Sequence, residues 1–463
     1  MYLDLNYHEN PYIAGNPVGK SDAFVGRRDV FREVMRILGS PHENALVLFG
    51  QRRIGKTSVM QHLLQHLPHE GKFRTVFFDL QDKASLPLAI VLQELATRLA
   101  NTVDILMPEK WHDTPRMFRE QFLPQVLAQL HDDEQLVFLL DEFDVLDNPQ
   151  EEQAGKDFFP FLRDFISMNM QRIQFLFVIG RRPEDLSSLT LSVFKGVKSQ
   201  RVSLLSEVDT HALVRLAQDN ETLIFPDETV SHIYALTGGH PYINQQLCQD
   251  IWQLAYENNP LDPPTITTDD VDNAVPQTIS HATNALEWLW DGLKPAERVV
   301  AATLAEAGAR AISQTELEKR LLDSGVRIVI SELQNAPDIL QKWDLIEPVD
   351  GQKETYRFRV ELLRQWIVEN KPLKRVQEEI DHINPVAQTL YQAGVGLYRM
   401  GNLEQAVALL SQAIGLNPNH VQGNQLLAEI LLAQGELSGL VNCWNRYGHI
   451  TPLPLDLVWC RFC

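Results

Sequence analysis

The sequence predicts an α/β domain with a parallel sheet and helices on both faces, followed by all-α and small α+β units. Three observations predict it. Short apolar runs alternate with helical stretches over residues 1–205, helical patterns followed by a hairpin pattern begin at Lys294, and a 34-residue spacing of small residues and prolines recurs after residue 385. At 463 residues the chain has length for about three domains.

Composition narrows the class. Hydrophobic residues make up 44% and charged residues 22%, which excludes wholesale disorder and collagen-like structure. Lys+Arg total 41 against Asp+Glu 61, a net charge of −20. Such a chain repels phosphate backbones and anionic lipid unless a local basic patch opposes it. No apolar run approaches the ~18–20 residues of a membrane helix. The opening Met1–Asn6 has neither the basic nor the apolar part of a secretory signal. Four cysteines are too few for a disulfide framework. The expectation is a cytoplasmic protein with no membrane partner.

The apolar run Ala45–Phe49 leads into Gly50-Gln51-Arg52-Arg53-Ile54-Gly55-Lys56-Thr57-Ser58, and a helical stretch continues to about Leu67. This fits G-x-x-x-x-G-K-[ST] in strand–loop–helix context, the phosphate-binding P-loop. Gly50 and Gly55 let the loop curl so that its N–H groups face phosphates at the positive end of the helix. Lys56 is expected to reach the β- and γ-phosphates and Thr57 to ligate Mg²⁺, so ATP and Mg²⁺ are the expected cofactors.

A second run, Gln135–Leu140, ends in Asp141-Glu142. An Asp at a strand's C-terminal end can hold Mg²⁺, and a following Glu can polarise the attacking water. Acids are common nearby (Asp132, Asp133, Asp144, Asp147), but only this pair directly follows five apolar residues. A third run, Ile173–Gly180, ends in Arg181-Arg182. Paired arginines are most often solvated surface; by position, Arg181 is the candidate to stabilise transferring charge. Further strands are expected at Thr75–Leu80 and Gln200–Leu205. The alternation places ligands at the strands' C-terminal ends.

These residues, with Asn10-Pro11-Tyr12, Phe24-Val25-Gly26-Arg27 and Thr237-Gly238-Gly239-His240-Pro241-Tyr242, resemble the STAND signalling ATPases, AAA+-like P-loop proteins of the bacterial and archaeal branch. The resemblance spans about residues 10–370. It implies that Val25, Gly26 and Arg27 line the adenine side, although Arg28-Asp29 stand where that family has Glu after its Arg. It also implies a helical lid over residues 206–291, whose His240 and Pro241 approach the phosphates. Without the resemblance, Gly-Gly-His-Pro marks only a helix stop and a proline-started helix.

From Lys294 the pattern changes. Pro295–Glu306 is helical, Ser313-x-x-Glu316 carries a capping-box signature for a helix to Asp323, and Ser331–Lys342 suggests a third helix. Leu345–Asp350 and Thr355–Val360 then suggest strands joined around Asp350-Gly351, giving a winged helix over residues 292–372. Its third helix has two acids, one Lys and Pro337, a poor source of phosphate contacts. Arg357 and Arg359 are the basic residues of its wing. From Ala387, Gly394, Gly401, Ala406, Leu410, Ala413 and Pro418 sit at tetratricopeptide spacings. Ala428, Gly435 and Pro452 repeat three of them, with Leu440 departing. The array over 385–463 is expected to be incomplete, and Cys460-x-x-Cys463 to be free thiols.

The function these features predict is an ATP-binding and hydrolysing switch. Its catalytic residues would be Glu142, Lys56 and Arg181, with Thr57 and Asp141 on Mg²⁺. Nucleotide state would be coupled to a protein partner on the repeats or to homo-oligomerisation, and the charge argues against nucleic acid. The alternative is a DNA-binding replication or transcription ATPase resembling the archaeal origin-recognition ATPases. A third is a repeat scaffold with a purely structural core.

Overall fold

In the computed structural model, which describes residues 8–147, 152–168, 171–256, 262–324, 330–349, 354–381, 385–417 and 420–434, the chain divides into two compact units. One is Met1–Tyr234 with Gly239–Ala282; the other is Ala235–Gly238 with Thr283–Cys463.

The first unit begins with α1 (Arg28–Leu38), β1 (Ala45–Phe49), α2 (Lys56–His66), β2 (Phe73–Asp79) and α3 (Leu88–Val103). It continues with α4 (Thr114–Met117), α5 (Leu123–Ala128), β3 (Gln135–Asp141), α6 (Glu152–Ile166), β4 (Ile173–Ile179), α7 (Ser188–Val193) and β5 (Lys198–Arg201). The five strands form one parallel sheet in the order β2-β3-β4-β1-β5.

The central strands read as continuous apolar runs because both their faces are covered. Successive side chains alternate between two cores. Leu46, Leu48, Val137, Leu139, Leu176 and Val178 pack with residues of α1 and α2. Val47, Phe138, Leu140, Phe175, Phe177 and Ile179 pack with residues of α3, α5 and α6 on the other side. That second core is aromatic: Phe138 stacks on Phe175 at 5.2 Å, and Phe165 meets both edge-on.

β5 differs from the expectation of Gln200–Leu205. Val202, Leu204 and Leu205 are buried but leave the ladder. The Val202 N–H still bonds the Phe49 carbonyl at 2.8 Å, whereas the Leu205 N–H turns to the Gly239 carbonyl at 2.8 Å. Burial without pairing is indistinguishable from a strand by hydropathy alone.

Among the described residues five helices follow: α8 (Glu207–Val214), α9 (Leu216–Asp219), α10 (Asp227–Thr237), α11 (Pro241–Ala255) and α12 (Thr268–Asp291). Ser206 caps α8 by accepting the Asp209 N–H at 3.1 Å. The N-terminal segment is pinned to this helical layer. Buried Tyr12 donates to the Val214 carbonyl, and the Ile13 and Ala14 N–H groups bond the side-chain oxygens of Gln245 and Gln249 at 3.0 and 3.2 Å.

The second unit holds α13 (Pro295–Glu306), β6 (Ile312–Ser313), α14 (Gln314–Asp323), α15 (Ile330–Lys342), β7 (Ile346–Pro348) and β8 (Thr355–Phe358). It ends with α16 (Glu361–Asn370), α17 (Leu373–Asp381), α18 (Pro385–Arg399), α19 (Leu403–Leu416) and α20 (Val421–Ala433). The Ser313 hydroxyl caps α14 through the Glu316 N–H at 3.2 Å. The strands pair antiparallel in the order β6-β8-β7. At two residues β6 is too short to carry a period of its own, so the pattern did not reveal it. The expected turn at Asp350-Gly351 lies outside the described residues.

Helices α18 and α19 form a hairpin through Gly401, whose φ of +78° suits glycine. A Cβ at Gly394 would stand 3.0 Å from Leu410 Cγ, and Ala406, Leu410 and Ala413 are fully buried. Pro418, Gly435, Leu440, Pro452, Cys460 and Cys463 lie outside the described residues. Among the described residues no helix is long and apolar enough to cross a membrane.

Candidate functional site

β1 delivers the chain into a loop that only glycine can start. A Cβ at Gly50 would fall 2.4 Å from the Val202 carbonyl oxygen. Gln51 and Ile54 are buried, Arg52 is exposed, and the loop closes at Gly55, whose φ of +94° starts α2. Lys56 is buried, and its ammonium donates to the Gly50 and Gln51 carbonyls at 3.0 and 2.8 Å. Burial pushes its pKa down, while Glu142, Asp144 and Asp141 hold it up. The cation is thus parked on its own loop, facing carboxylates.

Those carboxylates arrive on β3, which does not touch β1; β4 lies between them. Asp141 is buried and accepts the Glu142 N–H at 3.0 Å. Burial raises its pKa against the opposing pull of the Thr57 hydroxyl, the Glu142 N–H and Lys56. Glu142 has a φ of +51°, sparsely populated for a residue with a side chain. Burial raises its pKa too, with Lys56 opposing. Lys56, Thr57, Asp141 and Glu142 are therefore one electrostatic cluster.

Arg181 follows β4. Its Nε stands 3.3 Å from Asp144 Oδ2, its Nη2 bonds the Asp144 carbonyl at 2.7 Å, and Nη2 lies 3.2 Å from Asp147 Oδ2. Asp144 also accepts the Gly180 N–H at 2.9 Å. Arg182 pairs instead with Asp185 at 2.6 Å. Sequence reasoning treated Asp144 and Asp147 as background acids. The signal available was their recurrence three and six residues after Asp141.

Of the residues nominated by resemblance, Arg27 touches the loop itself. Val25 is half-buried, and a Cβ at Gly26 would fall 2.6 Å from the Asp209 carboxyl carbon. Arg27 is buried and staples two loops, donating to the Ser203 carbonyl and to the Ile54 carbonyl at 2.6 Å. His240 caps α11, its Nδ1 accepting the Ile243 N–H at 3.5 Å, and Pro241 opens that helix. Burial, with the charge of Arg27, takes the His240 pKa down to about 3. Among the described residues its buried Nε2 has no hydrogen-bond partner.

Two loop residues face elsewhere. The Ser58 hydroxyl accepts the Val18 N–H at 3.1 Å, and Arg53 donates to the Gly15 carbonyl while lying 5.5 Å over the Tyr242 ring. Both hold the N-terminal segment.

Residues 35–186 match the family model of an AAA domain. The match and the fold together support an AAA+-like P-loop ATPase core. No curated protein matches the sequence. Among solved structures, the chain is similar to a Walker-type ATPase of Pyrococcus abyssi, at 13% identity and a TM-score of 0.54 over 76% of this chain and 99% of that one. That likeness is one of fold. Cdc6p of Pyrobaculum aerophilum follows at 16% identity and a TM-score of 0.41, over 79% of this chain and 99% of that one. The Orc1 protein of Aeropyrum pernix, solved in complex with DNA, has 13% identity and a TM-score of 0.40, over 76% and 94%.

Proposed function

We propose that this chain is an ATP-hydrolysing switch of the STAND or AAA-like type, in which nucleotide state governs a protein partner or self-association. The observation that carries it is the convergence of Lys56, Thr57, Asp141 and Glu142 at the C-terminal ends of β1 and β3. The residues fit a magnesium nucleotide. Loop N–H groups at the start of α2 favour phosphate, and one hydroxyl with one carboxylate suffices for a cation that takes its other ligands from phosphate and water.

In this reading the backbone of residues 50–58 would cradle the phosphates, Lys56 would exchange the loop carbonyls for the β- and γ-phosphate oxygens, and Thr57 and Asp141 would hold Mg²⁺. Held there by Thr57 and Asp141, Mg²⁺ would supply positive charge against the transferring group. Glu142 orients the attacking water, and Arg181 meets the terminal phosphate. Val25, Gly26 and Arg27 border the base, and His240 and Pro241 approach the phosphates.

For the second unit we take α13–α15 with the β6-β8-β7 sheet as a winged helix, and α18–α20 as tetratricopeptide-like helices that dock protein. Charge supports protein over nucleic acid here. Arg357 pairs with Glu347 at 2.6 Å and Arg359 with Asp344 at 3.6 Å, so both wing arginines already face carboxylates. Equilibrium binding of Mg-ATP with a hydrolysis assay tests the first part, and salt-dependent duplex binding tests the second. Absence of nucleotide binding overturns the switch. Tight DNA affinity that falls steeply with salt promotes the replication-type alternative.

A further inference from the structure

Two of the three nitrogens of the Arg181 guanidinium are engaged before any ligand arrives. Nε faces Asp144 at 3.3 Å, and Nη2 bonds the Asp144 carbonyl at 2.7 Å and faces the Asp147 carboxylate at 3.2 Å. Among the described residues Nη1 makes no hydrogen bond. The guanidinium side chain is 40% exposed, whereas those of Asp144 and Asp147 are 10% and 4% exposed. Buried Asp147 and nearly buried Asp144 therefore fix the plane of a group whose side chain stays 40% exposed.

The carboxylates are themselves held. Asp144 takes the Gly180 N–H at 2.9 Å, tying the backbone that carries Arg181 to the turn that carries Glu142. Asp147 accepts the Thr190 hydroxyl at 2.6 Å and the Ser187 N–H at 3.0 Å, at the start of α7. Ser187 caps that helix.

We infer that Asp144 and Asp147 are positioning residues for hydrolysis, a clamp that presents the Nη1 edge of Arg181 to the terminal phosphate. The inference rests on the ATPase reading of the site. A planar guanidinium held by two partners loses little freedom when it meets a third, which is how preorganised donors act on developing charge. Charge alone argues the opposite way. Two carboxylates beside one guanidinium leave an excess negative charge, so removing one should by itself favour phosphate binding. A geometric clamp therefore has its own signature: losing a carboxylate slows turnover without weakening nucleotide binding.

The experiment uses the full chain, with single-turnover hydrolysis of Mg-ATP and equilibrium binding of a non-hydrolysable ATP analogue with Mg²⁺. Asp147→Asn should lower turnover by about tenfold or more, as a small misplacement of a catalytic group does. Its analogue affinity should be unchanged or tighter. Thr190→Val, which keeps the charge and frees the carboxylate, should move turnover in the same direction by less. Arg181→Ala combined with Asp147→Asn should be no slower than Arg181→Ala alone. Wild-type or faster turnover in Asp147→Asn overturns the clamp, as does a fully additive double variant. If Asp147→Asn fails to fold, Thr190→Val decides, and wild-type turnover there overturns the inference. A wild-type chain that neither binds nor hydrolyses Mg-ATP overturns the ATPase reading itself. Hydrolysis that survives Arg181→Ala at full rate removes only the clamp.

Discussion

Ser58 holds Val18: its hydroxyl accepts the Val18 N–H at 3.1 Å, and the next residue, Gly19, sits so close that a Cβ would fall 2.1 Å from the Ser58 carbonyl oxygen. The phosphate-loop helix is thus fastened to the N-terminal segment, whose residues 13 and 14 are fastened to α11. Gly19→Ala should lift the segment and destabilise the fold by about 1–3 kcal/mol, the scale of overpacking. Gly71→Ala is the control. It has a φ of +72° but nothing within 4 Å, so it should cost only left-handed strain of about 1 kcal/mol. Denaturant melts of both variants check this, and equal losses would refute the steric account.

Glu142→Gln should retain ATP binding and reduce turnover by about 10²-fold or more through loss of a positioned base. Lys56→Ala should weaken binding itself, because its ammonium is the buried cation of the loop. Nucleotide titration and phosphate release, measured side by side, separate the two. Wild-type turnover in Glu142→Gln would reassign the base.

His240 gives an acid-side instability. Its folded pKa lies at about 3, below the ordinary histidine value near 6.5, so the unfolded chain binds the extra proton between those limits. Its stability contribution is full above about pH 6.5 and is lost as pH falls toward 3, with a slope of at most about 1.4 kcal/mol per pH unit. His240→Asn keeps a capping oxygen for the Ile243 N–H and should flatten that slope. Urea melts at pH 7.5 and pH 5.5 read it; an unchanged slope would mean that other groups govern acid stability.

Ala406→Phe should overpack the α18–α19 hairpin, at a cost of about 1–3 kcal/mol. Ala406 is fully buried, in a cluster with Leu410, Ile414 and Leu427. Nucleotide affinity should stay at the wild-type value while capture of protein partners is lost. A fall in both would tie the hairpin to the ATPase fold.

The central strands β1, β3 and β4 were legible because they are apolar on both faces, and the loop because Gly50, Gly55, Lys56 and Thr57 have fixed spacing. Asp141 and Glu142 stood out for ending an apolar run. Spacing along the chain did not show which acids meet Arg181, since Asp144 and Asp147 reach it only through the fold. Nor did it show that Ser58 and Arg53, inside the motif, hold the N-terminal segment. Those contacts join residues 38 to 40 positions apart, beyond any local period.

β4 is buried at every position from Ile173 to Ile179 and pairs with β1 on one side and β3 on the other. It therefore works as a spacer of fixed width. Two interstrand steps of about 4.8 Å set β1 and β3 about 10 Å apart, whatever rotamers their loops adopt. A void or a bulge in this strand, far from any reacting atom, would change the gauge of the gap between Lys56 and Glu142.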